Sequence, residues 1–395
     1  MAVLNENDFY YLDCPRHNIQ EAVKEHRPGT AAWSLRNFND KDYIYYEFKQ
    51  GSAFAAFPID ELLGPENFEL VKSGKAILCL NNAHEAFDSA VHYIYKYIVC
   101  RAGIPSRQVL LMSESADILS EVLKKAAEFN VPPIKCEWTL QFEWNCKLWK
   151  EDMIQRGCFP PDTLQIKHYD KKYLNFNRRW RVHRVALVAL LKAKGLLPYG
   201  HVSLGKADTN ENWQSGVFDY VKFLSQDTPE LHKLYTDHTD AIVSMPDMYL
   251  DTTDLVENRA WLTTETDYLY TSTYLNVISE TNFYTKIDGY ESSRFYSEKT
   301  FKPIVQKHPF IAVTVPNFLP KLRWLGYKTF SPFIDESYDE ELDDNKRLLK
   351  ISNEIERLSK LEGKELEDYL VGCKAICEHN YNTLMSKTQF SHPLN

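Results

Sequence analysis

No run of eighteen apolar residues occurs in the 395-residue chain, so no transmembrane helix is expected. The opening "MAVLNENDFYYLDCPRHN" carries Glu and Asp early and no apolar stretch, so no signal peptide is expected either. Repeats and low-complexity segments are missing, which excludes solenoids and propellers. Positive charge is in deficit. The 46 Lys and Arg against 55 Asp and Glu leave −9 at pH 7, which argues against nucleic-acid binding by bulk electrostatics. The eight cysteines (14, 79, 100, 136, 146, 158, 373, 377) are scattered, several of them in apolar stretches. Cys373 and Cys377 share a helical face rather than forming a metal knuckle, so reduced thiols in a cytoplasmic protein are the expectation.

The familiar ligand motifs are absent as well. Without G-x-G-x-x-G or G-x-x-x-x-G-K-[ST], dinucleotide oxidoreductases and P-loop enzymes lose their support. There is no G-x-S-x-G elbow and no H-E-x-x-H zinc helix. Asp-x-Asp occurs once, at Asp40 and Asp42, ahead of a strand rather than after one, so no metal is expected.

What remains is an ordinary globular composition, 44% hydrophobic and 26% charged, in a chain long enough for two or more domains. The first seventy residues hold aromatic strand-like runs, "YIYYEF" and "SAFAAF". From Lys75 the pattern becomes regular: "KAILCLNN" a strand, "HEAFDSAVHYIYKYIVCRAG" a helix ended by Gly103, "RQVLLMSES" a strand, "ADILSEVLKKAAEFN" a helix, "IKCEWT" a strand. After Gly157 and Pro160-Pro161 the alternation restarts with "KYLNFNRR", "RVHRVALVALLKAKG" and "GHVSLG". It resumes again at "STYLNVISET" and "PFIAVTV" (Pro309–Val315), and two helices close the chain. This order predicts an α/β fold of two Rossmann-like domains, 1–160 and 161–395, facing across a cleft. Ligands of such sheets bind beyond the carboxyl ends of the strands, and two facing halves suit two substrates, as in a transferase.

Three stretches carry chemistry. "KHYDKKYLNFNRRWRVHR" (Lys167–Arg184) holds nine basic residues, and Arg178, Arg179, Arg181, His183 and Arg184 fall at its strand-to-helix junction. Guanidinium groups there can hold a diphosphate bidentately. A basic first turn also opposes the helix dipole, so packing gives no reason for it. "YLNVISET" delivers Ser279 and Glu280 to a strand end. "YSEKTFKPIV" sets Ser297, Glu298, Lys299 and Lys302 at a helix start, where anions are attracted. Pro303 complicates that helix. A start at Glu298 would leave the Lys299 carbonyl without its partner, whereas a start near Phe301 would leave "SEKT" as a binding loop.

A strand ending in Glu, a short gap, "[ST]-E-K" and a helix, then an apolar strand after Pro, resembles the donor-binding region of the α-1,3-fucosyltransferases, glycosyltransferases of the GT-B fold. "SEKTFKPI", "HPFI" and "LGYKTFSPFIDESYDE" are also similar to glycosyltransferase-like proteins of bacteriophages, giant viruses and bacteria, in which "LNLNRR.R.HR" and "GLL..G.VSL" recur. The likeness covers about Lys171–Glu340 and includes Ser203 of "GHVSLG". It implies a GT-B fold and a nucleotide-sugar co-substrate with no further cofactor. It also implies that Glu280, Glu298 and Lys299 bind the nucleotide while Arg178 to Arg184 face its diphosphate. "EKTFKP" departs from the apolar continuation of the fucosyltransferases, so the sugar does not carry over.

The acceptor side is read from strand ends. A base that takes the acceptor proton must be a carboxylate or His. Glu85 and Asp88 after "AILCLNN" are the first candidates, with His84 beside them, and Glu114 after "VLLM" is the next. Glu85 is equally explained as a first-turn helix acid. Trp138, Trp144 and Trp149 are stacking candidates that core packing explains as well. The expectation is a metal-independent glycosyltransferase acting on a glycan or another hydroxyl acceptor. Two alternatives stand beside it: an enzyme that glycosylates hydroxymethylated DNA, and a non-catalytic binder of nucleotide sugars or carbohydrate.

Overall fold

The computed structural model describes residues 33–38, 41–47, 58–82, 90–157, 163–177, 179–205, 213–250, 267–287 and 290–387, and all structure below concerns these. The chain is an α/β protein built on parallel sheets. It divides into two compact units, Met1–Gln141 with Asp288–Phe295, and Phe142–Ile287 with Tyr296–Asn395.

In the first unit, β1 (Trp33–Phe38) pairs antiparallel with β2 (Lys41–Glu47). From β2 the sheet runs parallel through β3 (Ala76–Asn82), β4 (Val109–Ser113) and β5 (Lys135–Trp138), in sequential order. The connections carry α1 (Ile59–Leu63), α2 (Pro65–Lys72), α3 (Ala90–Tyr93), which widens into a π-type segment over Ile94–Arg101, and α4 (Ile118–Glu128). Gly103 follows in the left-handed region at φ 71°, the helix stop read from sequence. Alternate strand residues Ala76, Leu78, Leu80, Val109 and Leu111 share one core with Val71, Ile94, Ile98, Ile118 and Val122. The helices therefore cover one face, as right-handed crossovers that all advance in the same direction require.

The second unit opens with α5 (Gln141–Gln155), whose first residue stands at the boundary. Then come β6 (Tyr173–Asn175), α6 (Val182–Ala193), β7 (Gly200–Val202), α7 (Phe218–Leu224), α8 (Pro229–Asp237), α9 (Thr239–Val243) and α10 (Asp267–Thr271). After β8 (Leu275–Ser279) and β9 (Lys286–Ile287) follow β10 (Tyr290–Glu291, in the first unit), α11 (Glu298–Val305), β11 (Phe310–Val313), α12 (Phe318–Trp324), α13 (Asp344–Ser359) and α14 (Gly363–Met385). The main sheet is parallel, in the order β11-β8-β6-β7. Every residue of β8 and β11 is buried; β11 reads as an unbroken apolar run, while β8 carries Asn276 and Ser279 among its apolar residues. From β6 the chain steps to β7 on one side and then to β8 on the other. The β6/β8 boundary is thus where the winding reverses, and the carboxyl ends of those two strands are where such a sheet binds ligands.

The sequence places the domain boundary near residue 160, whereas the units divide at Gln141/Phe142. Helix α5 goes with the second unit through its buried polar side chains. Glu143 accepts from the Tyr327 hydroxyl at 2.5 Å and pairs with Lys387 at 2.6 Å, and Lys150 donates to Gln306 at 3.3 Å. The segment 288–295 returns to the first unit, where the Arg294 amide donates to Asp117 at 2.8 Å and its guanidinium pairs with the same carboxylate. The stretch "LGYKTF" (Leu325–Phe330) forms no strand. Asn380 instead takes both Lys328 backbone groups, at 2.8 and 2.9 Å, and Glu336 accepts from the Phe330 amide at 2.5 Å. Side chains thereby satisfy what a sheet ladder would have.

Candidate functional site

The end of β6 and the two residues after it read "LNFN" (Leu174–Asn177), and the alternation sorts two kinds of side chain. Leu174 and Phe176 pack with Leu269 and Tyr270, while Asn175 and Asn177, both fully buried, form the other set. Asn175 Nδ2 donates to the Val277 carbonyl of β8 at 2.6 Å and to Ser279 Oγ at 3.3 Å. Asn177 Nδ2 donates to Asn175 Oδ1 at 2.5 Å. The Asn177 backbone is held as well: its amide donates to Ser203 Oγ at 2.9 Å and its carbonyl accepts from the Gly205 amide at 3.0 Å. Ser203, expected to touch the ligand, is buried in this role.

Glu280 directly follows β8 and is fully buried. Its carboxylate accepts from the Ser297 amide at 3.2 Å, Ser297 Oγ at 2.6 Å and Thr300 Oγ1 at 2.6 Å. These bonds tie the start of α11 to the end of β8. They settle where α11 begins: Ser297 is its N-cap, accepting from the Lys299 amide at 3.3 Å, and "SEKT" is cap plus first turn rather than a loop. Pro303 accordingly lies inside the helix. Burial pushes the Glu280 carboxyl up and Glu298 adds to the rise, against Lys299 and the bonds from Ser297 and Thr300.

Glu298 and Lys299 stand on the first turn with 16% and 24% of their side chains exposed, close enough to solvent to meet a ligand. Lys299 Nζ donates to Glu298 Oε1 at 2.9 Å and to Ser297 Oγ at 3.1 Å, using two of the three ammonium hydrogens. Burial alone would raise the Glu298 carboxyl, but Lys299, Lys302 and the Lys299 hydrogen bond outweigh it and hold it at about 2. Lys302 is half-buried one turn further along.

The basic stretch divides by burial. Arg179 and Arg181 are exposed, and Arg181 is the N-cap of α6, which has no side-chain cap hydrogen bond. Arg184 is buried: NH1 donates to the Arg179 carbonyl at 2.9 Å and NH2 to the Ser279 carbonyl at 3.1 Å. Burial lowers its pKa to about 10, so it stays charged at neutral pH. His183 Nε2 lies 3.0 Å from the Glu280 carbonyl, which can only accept, so this nitrogen carries the proton. Its ring stacks on Phe283 at 5.6 Å, and burial, Arg184, Arg181 and Lys299 hold its pKa well below the usual value. The imidazole is neutral, and the side-chain charges that bear on it are all positive.

Three polar atoms in this stretch are buried with no hydrogen-bond partner among the described residues: Asn177 Oδ1, Trp180 Nε1 and Arg184 Nε. An unmet buried group costs about 1–3 kcal/mol, so such a group calls for an explanation. Two of them donate, as phosphate oxygens require. Asn175, Asn177, Trp180 and Thr300 escaped the motif reading. Their one signal was a pair of amides alternating with apolar residues at the end of a buried strand.

Glu85, Asp88, His84 and Arg178 lie outside the described residues, as does Asp40. Glu114 follows β4 and is buried, and its carbonyl accepts from the Trp138 indole at 3.2 Å. Trp138, Trp144 and Trp149 are half-buried. Among the described residues, no three of His, Cys, Asp and Glu gather as metal ligands. In comparisons with known proteins, no family model and no curated protein matches the chain.

Proposed function

We propose that the chain is a metal-independent glycosyltransferase of the GT-B type, moving a sugar from a nucleotide sugar to a hydroxyl acceptor. The second unit holds the donor at the carboxyl ends of β6 and β8. One observation carries this reading: the buried donors Trp180 Nε1 and Arg184 Nε have no partner among the described residues, beside a helix start without a side-chain cap flanked by Arg179 and Arg181. A diphosphate supplies the acceptors and the negative charge that this arrangement wants. Lys299 has one ammonium hydrogen left for a phosphate oxygen, and Glu298, ionised at neutral pH, accepts from a ribose hydroxyl.

In transfer, the acceptor oxygen bonds to the anomeric carbon while the bond from that carbon to the phosphate oxygen breaks. The nucleoside diphosphate leaves with the electron pair, and the fixed cations stabilise the charge it gains, the work a metal does elsewhere. The acceptor proton goes to a carboxylate, for which Glu85 and Asp88, and then Glu114, are the candidates read from the sequence.

Calorimetry with nucleotide sugars tests the donor site. Arg181→Ala and Lys299→Ala should each weaken donor binding at least about tenfold, roughly 1.4 kcal/mol, in a folded protein. Unchanged affinity in both, or no nucleotide sugar bound by the wild type, overturns the reading. Transfer assays offering oligosaccharides and hydroxymethylated DNA then fix the acceptor. Binding without transfer to either reduces the protein to a nucleotide-sugar binder.

A further inference from the structure

The orphaned donors suit phosphate, but the third orphan does not. Asn177 Oδ1 is an acceptor, and a phosphate oxygen beside it would repel. The orientation of both amides follows from a backbone carbonyl. Val277 C=O can only accept, so the Asn175 end facing it, at 2.6 Å, must be the NH₂ group. That turns Asn175 Oδ1 toward Asn177, whose own NH₂ group must supply the bond between them at 2.5 Å. Asn177 Oδ1 is left over, in a residue that is fully buried and fixed at both backbone groups. The relay from β8 through β6 sets an acceptor in place before any ligand arrives, so no reorientation is needed on binding.

We infer that Asn177 is a specificity-determining residue whose side-chain oxygen accepts a hydrogen bond from a hydroxyl of one of the two sugars flanking the donor diphosphate. This rests on the proposed nucleotide-sugar reading and deepens it. The choice of a hydroxyl follows from position. Asn177 lies three residues before Trp180 and seven before Arg184, the phosphate-type donors. In a nucleotide sugar the groups next to the diphosphate are the ribose and the transferred sugar, and the base is further away. The oxygen is closed off without ligand, so the chain around it has to part on binding while the side chain keeps its orientation. A site built around a hydroxyl rejects the analogue lacking it more strongly than an apolar pocket rejects an extra methylene, because the acceptor then stays buried and unpaired.

The test is calorimetry on the full chain with UDP, GDP and ADP, their 2′-deoxy and 3′-deoxy forms, and UDP-glucose and GDP-mannose with their deoxyhexose analogues. For the wild type, removing one particular hydroxyl should cost tenfold or more in affinity, and the ligand pair that shows it identifies ribose or hexose as the source. For Asn177→Ala the same removal should cost less than twofold. Equal discrimination by wild type and variant overturns the inference and leaves the donor site standing; so does a wild type indifferent to every hydroxyl, the result expected if Asn177 Oδ1 serves only a buried water. No binding of any of these compounds overturns both readings. If Asn177→Ala does not fold, wild-type protein labelled with ¹⁵N-asparagine gives the same answer. The Asn177 side-chain amide signal should move with the hydroxylated ligand and stay with the deoxy form, and its staying in both overturns the inference.

Discussion

Asp339 caps a helix that begins about twenty residues before it in the chain. One carboxylate oxygen accepts from the Phe318 amide at 3.0 Å and the other from the Leu319 amide at 3.0 Å, at the start of α12. Burial pushes its pKa up to about 6, ahead of those two bonds, which pull it down. An unfolded Asp titrates near 3.9, so between about pH 4 and pH 6 the native chain holds the extra proton. The stability this gives is complete below about pH 4 and is lost as pH rises through 6. Over that window the loss is on the order of 2–3 kcal/mol. Asp339→Asn removes the titration, so its urea midpoint should fall less than the wild type's between pH 4 and pH 7. Parallel curves would refute this. Nothing near "SPFIDESYDE" announces the cap, because its partners are set by folding and not by spacing. Arg184 gives the same lesson: its type pointed to a ligand, but its burial gives two of its nitrogens to backbone carbonyls.

Elements were far more legible than residue roles. Strands buried on both faces write themselves as apolar runs, and β3, β4, β8 and β11 fall inside the stretches read from sequence. The start of α11 was ambiguous because Pro303 weighed against Glu298, and the deciding bonds come from Glu280, remote in sequence. Helix α14 was read as a whole, but its Gly372 carried no visible meaning. A Cβ added there would fall among the ring atoms of Phe333. The Phe333 backbone is held by Arg357, which donates to its carbonyl at 2.8 Å, so the ring has little room to retreat. Gly→Ala inside a helix ordinarily stabilises by about 0.5–1 kcal/mol. Here overpacking reverses the sign, and Gly372→Ala should cost roughly 1–3 kcal/mol in urea unfolding. Adding Phe333→Ala to it should recover part of the loss, since the two positions couple by contact. A stabilised single variant would show that the helix has room.

At the scale of the molecule the sequence yielded two parallel α/β halves but neither their boundary nor their strand order. Helix α5 continues the alternation of the first half, and contacts remote in sequence, among them two 156 and 184 residues away, assign it to the second. Strand order is likewise set by long-range pairing. It matters for function because the two sheets differ: the first advances in sequential order, while the second reverses its winding between β6 and β8. A ligand crevice belongs at the reversal, so a nucleoside diphosphate should act on the second unit and leave the first unit's sheet unchanged. Amide hydrogen exchange can locate it. At about a hundred times Kd the bound state gains roughly 2.7 kcal/mol, which slows exchange through openings that release ligand by about a hundredfold. Protection should concentrate in residues 175–177, 179–184, 279–282 and 296–300, the strand ends and the starts of α6 and α11, while β3 and β4 exchange as before. Slowing confined to β3, β4 or α4 would place the nucleotide on the first unit and end the assignment of the donor site to the second.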